Sequence, residues 1–146
     1  MAANQALIDF YNLLLEAERA GVVVIEEMLE EVHDPGLKTM LEKFLRDEGT
    51  DCKILFDLIL DEGGVPSKKT GTFVEKIRAL PNLAEKVDLL IRGQEWVAKK
   101  IRQQRSLSPV GSPYLKLEAI KVLHEENVDD TLKHRERIFG PTPKKP

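Results

Sequence analysis

Apolar residues recur at three- and four-residue spacing along four long stretches of the chain, and this period constrains the fold more than any other feature. Such a stripe covers one face of an α-helix and has to be buried against another element. The first stretch runs from about Asn4 to His33, with Leu7, Tyr11, Leu14, Leu15, Val22, Ile25 and Leu29 on its stripe. The second runs to about Glu62 through Leu37, Leu41, Phe44, Leu45, Cys52, Leu55 and Ile59. The third starts at Asn82 and ends near Arg105, with Leu83, Val87, Leu90, Ile91, Ala98 and Ile101. The fourth starts at Ser112-Pro113 and carries Ile120, Leu123, Thr131 and Ile138. Strand signals are absent.

Proline, glycine and capping residues punctuate these stretches. Asp34-Pro35-Gly36 ends the first helix and supplies an N-cap and first position to the second. Gly63-Gly64 reads as a helix stop. Asn82-Leu83-Ala84-Glu85 resembles an N-cap, and Ser106-Leu107-Ser108-Pro109-Val110-Gly111 separates the last two helices. The connection from Gly63 to Pro81 is roughly twenty residues, long for a compact bundle. Thr72-Phe73-Val74-Glu75 within it fits a capping box and so a short helix. The plan is an all-α, four-helix bundle: one antiparallel hairpin, a long crossover and a second hairpin. Residues 1–140 form a single domain in this reading, and 141–146 a disordered or surface tail.

A chain of 146 residues is long enough for one domain with its own core. Its formal net charge of −3 lacks the clustered basic excess of a nucleic-acid footprint. The single cysteine, Cys52, forms no intrachain disulfide and suits a reducing compartment. The N-terminus has no secretory pattern, and runs such as Leu13–Leu15 fall far short of a membrane span. The expectation is a cytoplasmic protein without nucleic-acid or membrane partners.

Each stripe is interrupted near its middle by a polar residue: Glu18, Glu48, Gln94 and Asn127 in turn. A helix rises about 1.5 Å per residue, so equal counts from a turn mean equal heights. Glu18 lies about sixteen residues before the first turn and Glu48 about fourteen after it. Gln94 lies about sixteen before the second turn and Asn127 about seventeen after. All four therefore fall near mid-bundle. A carboxylate buried there must pair, protonate or bind a cation. Cys52 sits one turn after Glu48 on the stripe, Asp51 on the stripe's edge, and His124 near the fourth seam. Gly21, Gly49 and Gly93 stand beside the polar positions. A mid-helix glycine costs about 1 kcal/mol against alanine, so each implies close helix approach or a local bulge. Trp96 and Leu89 lie on an outer line of the third helix, under the connection or at a homodimer contact.

This layout resembles the ferritin-like superfamily, whose di-iron carboxylate, rubrerythrin-type members place Glu on two helices and Glu-x-x-His on the other two. Glu18 matches the first glutamate, and Glu48-Gly-Thr-Asp51 matches the second motif with Asp in place of His. Gln94 stands where a second lone glutamate belongs. The fourth helix offers His124-Glu-Glu-Asn127 or Glu126-Asn-Val-Asp129, neither of them Glu-x-x-His. The segments Glu16-Ala-Glu-Arg-Ala-Gly21, Pro66-Ser-Lys-Lys-Thr-Gly71 and Arg92-Gly-Gln-Glu-Trp96 look like a bacterial branch of this superfamily that brings no function with it.

The resemblance implies a mid-bundle site for one divalent Fe, Mn or Zn, with Glu18, Glu48 and His124 as ligands. Asp51, Cys52, Gln94 and Asn127 are its pocket or supporting residues. Such a protein would do redox chemistry on O₂ or peroxide, as in an oxidative-stress response. Two other readings stay open. The inherited site is a metal-free polar network in a helical interaction protein, or Gln94, Asn127 and His124 read a small molecule between the hairpins.

Overall fold

The computed structural model describes residues 4–104 and 111–141. Among them are five helices and no strand: α1 (Gln5–Leu29), α2 (Pro35–Asp61), α3 (Phe73–Arg78), α4 (Leu83–Gln103) and α5 (Ser112–Phe139). The four periodic stretches are α1, α2, α4 and α5, and α3 is the short helix of the connection. The segment expected to separate α4 from α5 lies outside the described residues up to Val110, as does the expected tail beyond Pro141.

Local chemistry fixes the helix ends. Asn4 Oδ1 accepts from the Leu7 amide at 3.2 Å, Asp34 Oδ2 from Leu37 at 2.9 Å and Asn82 Oδ1 from Glu85 at 2.9 Å. The capping box expected at Thr72 does not form. Thr72 has helical backbone angles, φ −96 and ψ 0, so its hydroxyl is not aimed at the first amides and makes no cap bond. Beyond α2 the Gly63 amide donates to Leu60 O at 3.0 Å and the Gly64 amide to Ile59 O at 2.9 Å. This is a Schellman turn, and it requires the left-handed φ of 81° at Gly63.

The connection then follows α1 from one end to the other. Gly64 lies against Ile8, close enough that a β-carbon would meet Ile8 Cγ2 at 2.6 Å. Asn12 bonds Val65 O and the Ser67 amide. Arg19 Nη1 donates to Ser67 O at 2.7 Å and Lys69 O at 2.9 Å. Arg78 pairs with Glu27, and Lys86, in the first turns of α4, pairs with Glu31. The end of α2 is therefore beside the start of α1, and the start of α4 is beside its end.

The apolar core falls into two clusters. One holds Leu7, Tyr11, Leu14 and Leu15 of α1 with Leu55, Ile59, Val97, Ile101, Leu117 and Ile120. The other holds Val24, Ile25 and Met28 with Leu37, Leu41, Phe44, Val87, Leu90 and two α3 residues, Val74 and Ile77. Burying a leucine such as Leu14 or Leu41 contributes roughly 1.5–3 kcal/mol. Between the clusters, on every long helix, the buried positions are polar.

The buried line of α5 differs from the expected stripe. It runs through Leu117, Ile120, His124, Asn127, Thr131 and Arg135, while Leu123 and Ile138 are half-buried. Arg135 is held by Asp88 Oδ1 at 2.7 Å and by Gly140 O at 2.6 Å. On α1, Val22 is half-buried and Val24 takes its place in the core. No described helix is long and apolar enough to cross a membrane.

Candidate metal centre

Four side chains capable of metal ligation converge in the polar layer: Glu18 from α1, Glu48 and Asp51 from α2, and His124 from α5. Each offers one ligand atom, and these atoms lie within 4.8 Å of one another. All four residues are at most 2% exposed. Glu48 and Asp51 reach the layer together because residues three apart share a helix face. Gly21 opposite them gives Glu48 its room. A β-carbon there would stand 3.0 Å from Glu48 Cδ and 3.1 Å from its Oε1.

The histidine fixes the polarity of the site. His124 Nδ1 lies 2.8 Å from the carbonyl of Ile120, one turn earlier on its own helix. A carbonyl oxygen only accepts, so Nδ1 carries a proton, and metal ligation through this ring falls to Nε2. That nitrogen is 2.7 Å from Glu18 Oε1 and 3.8 Å from Glu48 Oε1, and the short contact lacks hydrogen-bond geometry. Among the described residues no donor meets an oxygen of Glu18, Glu48 or Asp51 with full hydrogen-bond geometry. Acceptors gathered this closely repel unless a proton or a cation lies among them. A backbone carbonyl that orients a ring through its other nitrogen is the usual support of a metal-ligating histidine.

Electrostatics agrees with the geometry. Burial holds the Glu18 carboxyl well above its ordinary range, and the nearby Asp51 carboxylate adds to the rise. Burial also raises Glu48, with the Glu18 charge as a further cause, while His124 and the Gln94 amide oppose it. Asp51 is pushed up to about 7, again chiefly by burial. A divalent ion would reverse this pressure by holding the carboxyls ionised.

Of the residues singled out in the sequence, Glu18, Glu48 and His124 come together as expected. Asp51 moves from the stripe's edge to the centre. Cys52 is outside the cluster, half-buried against the apolar cluster of Leu7 and Leu55, its thiol pushed up to about 12 by burial. It is a packing residue that stays protonated. Gln94 borders the layer with a buried, unpartnered Oε1. Asn127 turns away: its Oδ1 accepts from Lys43 Nζ at 2.8 Å and its Nδ2 donates to Asp47 Oδ2 at 2.9 Å. It ties α5 to α2 with its polar groups spent. The expected set of Gln94, Asn127 and His124 therefore does not share one pocket. Gln94 and His124 do line a cleft of about 250 Å³ between α4 and α5.

Residues 5–133 match the profile of a family described as a domain of unknown function, DUF6306. The chain belongs to that family. No curated protein and no solved structure matches it. The DUF6306 match takes in all four residues of the cluster and stops within α5, before Arg135.

Proposed function

We propose that this DUF6306 protein is a ferritin-like metalloprotein whose mid-bundle cluster binds one divalent transition-metal ion. The observation that carries the reading is the position of His124 Nε2, 2.7 Å from Glu18 Oε1 and 3.8 Å from Glu48 Oε1 with no hydrogen bond among them. Glu18, Glu48 and His124 Nε2 are the ligands. Asp51 lies toward the other side of the ring, 3.7 Å from Nδ1, where it orients the histidine or supplies a further oxygen. Carboxylate and imidazole donors without thiolate suit Fe, Mn or Zn. The ferritin-like reading is supported by the path of the connection along α1, which fits two antiparallel hairpins joined by a crossover.

A bound redox-active ion would supply electron transfer to O₂ or peroxide. Around it the chain itself does three things. His124 is held in one tautomer by Ile120 O. The two apolar clusters keep bulk water from both sides of the layer. The carboxyls of Glu18 and Glu48, held protonated by burial in the metal-free layer, would give up their protons as the ion is taken up.

A second reading, a metal-free layer in a helical interaction protein, is favoured by the same raised pKa values, because a shared proton also relieves the repulsion. Elemental analysis separates the two. Protein purified without chelator or affinity tag is expected to carry about one equivalent of Fe, Mn or Zn, lost in the Glu18→Ala, Glu48→Ala variant. No metal in either protein, even after anaerobic Fe(II) addition, overturns the metal reading.

A further inference from the structure

A second opening lies on the other side of α4. It is a cleft of about 430 Å³ bounded by α1, residues 70–73 and α4, within the range of small-molecule sites. Its apolar walls are Leu13, Phe73, Leu89 and Trp96. Gly93 seats one of them: a β-carbon there would meet Phe73 Cζ at 2.8 Å. Glycine in mid-helix costs about 1 kcal/mol, which the seated ring helps offset.

The polar groups of the cleft include two cations, one carboxylate and one amide. Lys76 and Arg92 are exposed at it, and among the described residues neither side chain makes a hydrogen bond or ion pair. The carboxylate on the lining, Glu16, is already engaged by Ser67 Oγ at 2.7 Å. Deeper, Gln94 is 3% exposed and its Oε1 has no partner. A buried acceptor left without a donor costs roughly 1–3 kcal/mol. Gln94 lines the cleft, so a hydroxyl entering it can supply the missing donor.

We propose that this cleft binds a small aromatic or aliphatic carboxylate that carries a hydroxyl at its far end. Arg92 and Lys76 take the carboxylate. Phe73, Trp96, Leu13 and Leu89 enclose the apolar body. The hydroxyl donates to Gln94 Oε1. Gln94 also lines the α4–α5 cleft beside His124, so the hydroxyl end of the ligand sits one side chain from the carboxylate–histidine cluster. That such a ligand is the substrate of the cluster rests on the metal reading; its binding does not.

The test uses metal-free protein, so failure here leaves the metal reading standing, and an empty metal site leaves the cleft testable. The chain has one tryptophan, Trp96, so its emission reports on the cleft alone. Titration with 3-(4-hydroxyphenyl)propanoate is expected to change that emission saturably. Binding should weaken by about tenfold or more in the Arg92→Ala, Lys76→Ala variant, and similarly for 4-ethylphenol, which lacks the carboxylate. Both substituted residues are exposed, so the fold is not at stake. No saturable change overturns the proposal, as does equal affinity in the variant or for 4-ethylphenol. An emission that responds only to protein concentration also overturns it, because a second copy of the chain would then cover the cleft.

Discussion

Gly21 and Glu48 are a fitted pair: the glycine leaves a space that the carboxyl of Glu48 fills, with Cδ only 3.0 Å from where a β-carbon would lie. Helix α1 gives up helix propensity at this position, and the gain is a carboxylate laid flat against its backbone.

Gly21→Ala therefore separates stability from site geometry. Alanine favours the helix by about 1 kcal/mol, while its methyl displaces the Glu48 oxygens by a few tenths of an ångström. The metal-free variant should melt no lower than the parent by more than a few degrees, yet bind metal about tenfold more weakly. Calorimetric titration of both proteins with Mn(II), beside thermal melts without metal, reads the two effects separately.

The acidity of the layer makes stability depend on pH in a definite direction. Glu18, Glu48 and Asp51 all have folded-state values raised by burial. The unfolded chain loses these protons first as pH rises, so the folded state binds more protons and stability falls. For Asp51 the decline runs from the ordinary carboxylate range to about 7, where the folded group also ionises. The metal-free protein should thus melt lower at about pH 8 than at about pH 5.5. Metal affinity should move the other way, because ligation requires the ionised carboxyls. Glu18→Gln, Glu48→Gln removes two of the raised groups and should flatten most of the slope, read from melting curves across that range.

The Arg135–Asp88 pair is structural. Arg135 is 4% exposed, bonds both Asp88 oxygens and caps the end of α5 through Gly140 O. Arg135→Ala leaves Asp88 without its partner and should cost about 2–4 kcal/mol in urea unfolding. Asp88→Leu combined with Arg135→Leu should cost less than the single change, since no uncompensated charge remains. Metal content should be unchanged in both.

The helices, the caps at Asp34 and Asn82 and the depth of the polar layer are legible in the sequence because period, proline and capping residues are local signals, whereas the Thr72 capping box is a local pattern that the backbone does not use. Glu18 and Glu48 followed from counting residues to a turn. The rotation of each helix about its axis was less legible. Positions three and four after Glu48 lie about 60° and 40° to either side of it, at 100° per residue. Spacing alone cannot choose between Asp51 and Cys52, and the apolar character of cysteine favoured the wrong one. In the fold Asp51 is the one that faces inward, its Oδ2 3.7 Å from His124 Nδ1, and the thiol is left at the edge. On α5 apolar residues are sparse, so the period passes through Leu123 and Ile138 and gives no sign of Arg135, which is buried against Asp88 of another helix. At Gly49 a β-carbon would meet nothing within 4 Å, so the glycine pattern marked two fitted sites, Gly21 and Gly93, and one open one. The cleft at Trp96 depends on where the connection lies, which no local pattern encodes.

The measurement that bears most directly on the central claim is an anomalous difference map from crystals grown with Mn(II) or Fe(II). The account predicts one strong peak between α1, α2 and α5, within about 2.0–2.3 Å of oxygens from Glu18 and Glu48 and of His124 Nε2. A map with no peak in the layer, or with the ion bound only at surface carboxylates while the layer keeps its protons, would contradict it.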